Sequence, residues 1–211
     1  MAHKGKLFVS TEDVSPRIFE NPILDFLSRV TWWVVPIIYV PMIAFFIYLA
    51  LFVNETSYLK FAGFFAIGVV IWTFMEYSLH RWAFHFEPKN KTQEKILFLV
   101  HGIHHDYPQD SKRLVMPPSV SLILAVITYS ILYGVTSLFG ATELIPSIFA
   151  GIVSGYLYYD MVHYSQHHMN ITNPYYKELK EYHMKHHYTE PDLGFGISSK
   201  LWDYIFRTVL K

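Results

Sequence analysis

Residues 31–53 read TWWVVPIIYVPMIAFFIYLALFV, 23 residues without a charge. A helix needs about 20 mostly apolar residues, at ~1.5 Å rise each, to cross ~30 Å of hydrocarbon, so this stretch predicts a transmembrane helix. Pro36 and Pro41 lie inside it, which membrane helices tolerate. The run starts too late and is too long for a cleavable signal peptide, and no small-residue cleavage site follows it. Further along, residues 61–75 are charge-free up to Glu76 and predict a second span at about 58–79. Residues 114–142 are charge-free, and after Glu143 so are residues 144–159. These predict spans at about 117–139 and 144–162, a hairpin with its tip near residues 140–146. Four such runs are more than one soluble core of this length needs.

Composition points the same way. Of the 211 residues, 52% are hydrophobic and only 16% are charged, against roughly 25% charged in a soluble domain. The formal net charge is zero, and nothing in that balance suggests nucleic acid. There is no cysteine, which excludes disulfides, Cys-ligated zinc and iron–sulfur sites. Of the basic residues, Lys60 alone falls in a predicted short loop between spans one and two. The others lie in the terminal segments, Lys4, Lys6 and Lys211 among them, and in the middle loop. The positive-inside rule then places those segments in the cytoplasm. The expected architecture is all-α: a cytosolic N-terminal segment (1–30), followed by a membrane domain (31–211). Its four transmembrane helices form two hairpins under a cytosolic helical cap made of residues 80–116 and 163–211. The membrane would be the endoplasmic reticulum in a eukaryote or the inner membrane in a bacterium.

Twelve histidines stand out, and only His3 lies outside residues 80–187. They form four clusters: HRWAFH (80–85), HGIHH (101–105), HYSQHH (163–168) and HMKHH (183–187). At ~100° per residue, positions i, i+3 and i+4 share a helix face. His101, His104 and His105 have that spacing, as do His183, His186 and His187. His163 and His167 share a face, from which His168 is rotated away. His80 and His85 are five apart and converge only if the helix ends or distorts between them; otherwise they serve different metals. Ten candidate ligands remain: His80, His85, His101, His104, His105, His163, His167, His183, His186 and His187. One ion cannot use ten imidazoles, whereas two ions taking four or five each would. Imidazole suits iron, copper, zinc and nickel. An apolar setting suggests a hydrocarbon-chain substrate, and an unactivated C–H bond requires an oxidant made from O₂. Zinc has no redox chemistry, so zinc found here in a crystal would stand in for iron.

The clusters resemble the fatty acid hydroxylase superfamily, which also includes sterol desaturases and carotenoid hydroxylases. The blocks EYSLHRWAFHFEP (76–88), HGIHHDYPQDSKRLVMPP (101–118), YDMVHYSQHH (159–168) and YHMKHHYTEPDLGFGISSKLWDYIF (182–206) are similar to those of fatty acid 2-hydroxylases. The resemblance implies a four-span domain whose ten histidines hold two iron ions. Its reaction would be O₂-dependent hydroxylation at carbon 2 of a long-chain fatty acid or ceramide acyl group. Fungal and animal members carry a cytochrome b5 domain with a His-Pro-Gly-Gly motif, which does not occur in this sequence. A separate electron-transfer protein, such as a cytochrome b5 or a ferredoxin, is therefore implied. Sterol or carotenoid oxidation is the neighbouring alternative. A membrane metal transporter is the alternative of a different class, disfavoured by the apolar midspans.

Ligating histidines usually give their second N–H to a carboxylate or carbonyl. Glu76, one turn before His80, and Asp160, three before His163, are the expected supporting carboxylates, with Tyr159 as a further candidate. Asp106 and Asp110 read as solvated loop residues. Arg113 reads either as a holder of a lipid head group or as an interfacial anchor. Trp32, Trp33 and Trp202 read as interface-belt residues.

Overall fold

A computed structural model describes residues 7–210; His3, Lys4, Lys6 and Lys211 lie outside the described residues. Among the described residues all regular structure is helical. Helix α1 (Pro22–Leu27) starts at Asn21, whose side chain accepts from the Ile23 and Leu24 amides. Helix α2 (Val34–Tyr48) runs through Pro36 and Pro41 and continues as a π-helical turn, Leu49–Val53. Helix α3 (Tyr58–Ser78) starts at the capping side chain of Ser57 and also ends in a π-helical turn, Leu79–Phe84. Helix α4 (Lys91–Leu97) leads through a third π-helical turn, Phe98–Gly102, into α5 (Ile103–Asp106). Helices α6 (Pro118–Leu138), α7 (Ile145–His168), α8 (Pro174–Tyr188) and α9 (Leu201–Phe206) complete the chain.

Among the described residues, three helical stretches are long and apolar enough to cross a membrane: Val34–Val53, Tyr58–Phe84 and Pro118–Leu138. Few of their residues are buried within the protein, and their large apolar side chains, such as Ile37, Phe52, Ile123 and Ile131, are exposed. An apolar outer surface of that extent fits a hydrocarbon surrounding rather than water. Helix α7, at the fourth expected span, is different in kind. It has 24 residues, of which sixteen are buried, and it carries Tyr156, Tyr159, Asp160 and His163. It is the helix against which α2, α3, α6 and α8 pack.

Glycine sets how closely α3 approaches it. A Cβ on Gly68 would lie 2.0 Å from the Ile148 carbonyl oxygen, and one on Gly151 would lie 2.1 Å from that of Phe65. Only hydrogen fits at either position, as is common where membrane helices touch backbone to backbone. Beside this contact Tyr39, Trp72 and Tyr156 form an edge-to-face cluster, with ring centroids 4.7 and 5.2 Å apart. The tips of both hairpins meet at one end: Lys60 pairs with Glu143 at 3.9 Å, and Asn54 donates to the Glu143 carbonyl. The histidines gather at the opposite ends of α3 and α7.

The N-terminal segment straps onto that histidine-bearing end. The Val9 and Ser10 amides donate to the Asp106 carbonyl, and Val30 donates to that of Lys112. Two expectations are corrected here. Asp110 is not a solvated loop residue: it is buried, accepts from Ser15 Oγ and pairs with Arg113 at 3.1 Å. Arg113 is not an interfacial anchor: it is buried, and it lines the cavity beside the histidines. Its other guanidinium nitrogen reaches Asp25 at 3.3 Å, so two carboxylates hold one buried charge. Such pairing is what burial of an ion demands. Trp33 is half-exposed, whereas Trp202 packs on α3 and donates to Thr73 Oγ1 at 3.1 Å.

Candidate metal centre

The ten candidate histidines separate into two groups of five. The first is His80, His85, His101, His105 and His186; the second is His104, His163, His167, His183 and His187. Within each group one ring nitrogen per residue lies within 4.8 Å of all the others. His168 belongs to neither and stacks on Tyr164 at 4.7 Å, as its helix angle requires.

The π-helical turn Leu79–Phe84, which ends at His85, is the distortion that lets His80 and His85 converge. Its i→i+5 hydrogen bonding widens the helix and brings positions five apart onto one side. The two rings lie 4.9 Å apart. Among the HxxHH segments the grouping departs from cluster-by-cluster convergence. His101 and His105, four apart, face the first group, while His104 between them faces the second. In α8 the pattern is mirrored: His183 and His187 face the second group and His186 the first. Each segment lies between the two groups and supplies both.

The donor set fits a metal. Nε2 of His101 lies 3.1 Å from that of His80 and 3.0 Å from that of His105. In the second group, Nε2 of His104 is 3.0 Å from His163, and Nε2 of His183 is 3.0 Å from both His167 and His187. Two nitrogens each ~2.1 Å from one ion and at right angles would be about 3.0 Å apart. Burial holds these imidazoles neutral, with their lone pairs available. It pushes His101, His104, His105, His183 and His187 well below the usual histidine range, and neighbouring histidines add to the effect. Burial also pushes His186 down to about 4, partly opposed by its bond to the Leu193 carbonyl.

Metal removal therefore has an expected consequence. Chelation should lower the thermal midpoint, and the chelated protein should melt lower at pH 5 than at pH 7.5. Unfolded histidines bind protons from about pH 6.5 downward, whereas His186 in the fold resists protonation until about pH 4. In that window the unfolded state binds more protons, so stability falls as pH falls. A midpoint indifferent to chelation at both pH values would count against metal at these histidines.

The supporting carboxylates occupy other positions than the sequence suggested. Glu76 bonds to no imidazole. Its Oε1 accepts from the Ile197 and Ser198 amides at 2.9 and 2.7 Å, and its Oε2 accepts from Ser198 Oγ. Asp160 accepts from the Met116 amide at 3.2 Å and from Tyr156 OH at 3.1 Å. Tyr159 stacks on His163 with centroids 5.9 Å apart. What holds the imidazoles instead is backbone: His80 Nδ1 meets the Phe195 carbonyl and His186 Nδ1 meets that of Leu193, both at 2.7 Å. The loop carrying these carbonyls rests on Asp203, and its Ile197 carbonyl accepts from Gln166 Nε2. Asp203 and Gln166 carried no signal in the sequence, because the loop atoms they hold are main-chain atoms.

A cavity of about 400 Å³ opens beside the histidines. His101 from the first group and His104 and His163 from the second lie in its wall, with Tyr159 and Asp160. The rest is mostly apolar, from Phe19 and Leu24 of the N-terminal strap to Val115 and Met116.

Comparison with known proteins gives a consistent result. The fatty acid hydroxylase family model matches residues 65–208. A dihydroceramide fatty acyl 2-hydroxylase of Arabidopsis thaliana is 39% identical over 92% of this chain and 80% of its own length. A ceramide very long chain fatty acid hydroxylase of Saccharomyces cerevisiae is 38% identical over 93% of this chain, which spans 50% of that protein. The solved hydroxylase domain of full-length scs7p superimposes with a TM-score of 0.83 at 37% identity, covering 92% of this chain and 72% of that one.

Proposed function

Because this chain belongs to the fatty acid hydroxylase family, we propose that it hydroxylates carbon 2 of a long-chain fatty acyl group, as the free acid or as the N-acyl chain of a ceramide. The observation that carries this reading is the mostly apolar cavity whose wall includes histidines of both groups. An acyl chain lying there has a carbon beside two candidate metal positions at once. In this reading each group of five histidines holds one iron ion, and the pair of ions supplies the activation of O₂.

Balanced, the reaction takes one C–H bond, O₂, two electrons and two protons, and returns a C–OH bond and water. The electrons come from a separate donor of the cytochrome b5 or ferredoxin type. The chain's own residues bind and orient. The cavity wall selects the extended hydrocarbon and excludes water, and placing one carbon within about 3–3.5 Å of the reacting atom decides which position reacts. Tyr159 and Asp160 sit where the acyl group's polar end would approach His163. Glu76 acts at one remove, by holding the 197–198 backbone.

The same reading makes α7 the fourth span, through about residue 162. Residues 80–116 and 163–211 become a cytosolic cap, with the 1–30 segment on that side. The meeting of both hairpin tips at the end remote from the histidines supports this arrangement.

Cells expressing the chain and supplied with ¹⁸O₂ test the proposal. Mass spectrometry of their lipids should reveal new 2-hydroxy acyl species carrying one ¹⁸O. Altered sterols or carotenoids without such species, or oxygen derived from water, would overturn it.

A further inference from the structure

The two histidine groups are held differently. In the second group, Nδ1 of His163, His183 and His187 is buried without a hydrogen-bond partner, and His167 faces the backbone of Pro108. In the first, His80 and His186 each bond through Nδ1 to a carbonyl of the loop after α8. The peptide unit that His80 meets is itself polarised from its other end. Its carbonyl, that of Phe195, faces His80 at 2.7 Å, and its N–H, that of Gly196, donates to Asp203 Oδ2 at 2.8 Å. Asp203 Oδ1 accepts from the Phe195 amide at 3.0 Å and from Thr208 Oγ1 at 2.7 Å. The Thr208 carbonyl in turn accepts from the Gly194 amide, the N–H end of the peptide whose carbonyl, that of Leu193, holds His186.

We infer that Asp203 is the positioning residue of the first histidine group, acting on His80 through the Phe195–Gly196 peptide. This rests on the two-ion reading proposed above. A carboxylate on the N–H side of a peptide makes its carbonyl a stronger acceptor, because hydrogen bonds in series polarise one another. A stronger acceptor at Nδ1 fixes the ring and makes Nε2 a better donor to a metal, as a carboxylate bonded directly to a ligating histidine does. Here one peptide unit stands between the two. The local backbone is built for it. A Cβ on Gly196 would lie 2.1 Å from the Ser199 carbonyl oxygen and 2.8 Å from Asp203 Oδ2, and Gly194 adopts a φ of +73°. Asp203 itself is fully buried on this short path and touches no histidine.

The test compares Asp203→Asn with wild type as the full chain purified in detergent, reading iron content by mass spectrometry during chelator titration. Wild type should release two ions. In the variant one ion should be held about 10–100-fold more weakly and the other unchanged, the usual effect of losing an outer partner of a metal-bound histidine. The ion is identified in two backgrounds. Asp203→Asn should weaken the ion left by His104→Ala and leave unaltered the ion left by His105→Ala. Equal weakening of both ions, or no change in either, overturns the inference. If Asp203→Asn is not obtained as monodisperse protein, Thr208→Val carries the same test, with a smaller shift confined to the same ion. A wild-type protein binding fewer than two ions would sink the two-ion reading instead.

Discussion

Replacing His104 with alanine should empty the second histidine group and leave the first loaded, while replacing its neighbour His105 should do the reverse. The two residues are adjacent in α5, yet they face different groups: His104 meets His163 at 3.0 Å and His105 meets His101 at 3.0 Å. Losing an outer partner alone costs about 10–100-fold in metal affinity or activity, so removing a ligand should push activity below about one hundredth of wild type in both variants. Activity therefore does not distinguish them. Iron content should fall from two to one in each, and Mössbauer spectra of the ⁵⁷Fe-loaded variants should show different remaining ions. Identical residual spectra would contradict the interleaved grouping. A variant that keeps two ions and full 2-hydroxylation would remove its histidine from the site.

The second large effect is expected from Gly151→Val. Its new Cβ would lie 2.1 Å from the Phe65 carbonyl oxygen and close to the Gly68 Cα, and backbone atoms cannot swing aside as a side chain can. Overpacking against side chains costs about 1–3 kcal/mol, and this contact should reach or exceed the top of that range. For a chain of this size that is a fall in thermal midpoint on the order of 10 °C. Metal should be lost as well, because α3 carries His80 at its end and α7 carries His163 and His167. Gly134→Val is the control: a Cβ there meets nothing within 4 Å, and its midpoint should stay near that of wild type. If both variants melt alike, close approach of α3 to α7 is not what holds the two groups together.

Parts of this site were legible in the sequence because they depend on one helix at a time. Charge-free length is a local property, and three of the expected runs became exposed apolar helices. The fourth became α7, whose tyrosines, Asp160 and histidines make it a core element as well as a long one. Angular spacing is local too. It separated His168 from His163 and His167, and it let His80 and His85 converge only where the helix ends or distorts, as the π-helical turn does.

Other parts were not legible, for identifiable reasons. Glu76 and Asp160 are buried carboxylates beside histidines in the chain, which made them natural candidates to orient imidazoles. Their actual partners are the Ile197, Ser198 and Met116 amides and Tyr156. A main-chain donor leaves no signature in side-chain identity, and Asp203 escaped notice for the same reason. Asp110 read as solvated because its loop is polar. Its burial depends on Arg113 and on Ser15, 95 residues earlier.

By its own local periodicities the sequence determined that His80, His85, His163 and His167 arise at the ends of apolar helices, and that the other six candidate imidazoles come as two HxxHH segments at helical spacing. Only the tertiary structure decided how those imidazoles divide. Whether His104 and His105 face one centre or two depends on where α7 and α8 lie around α5, because the partners that separate them, His163 and His101, come from other helical segments.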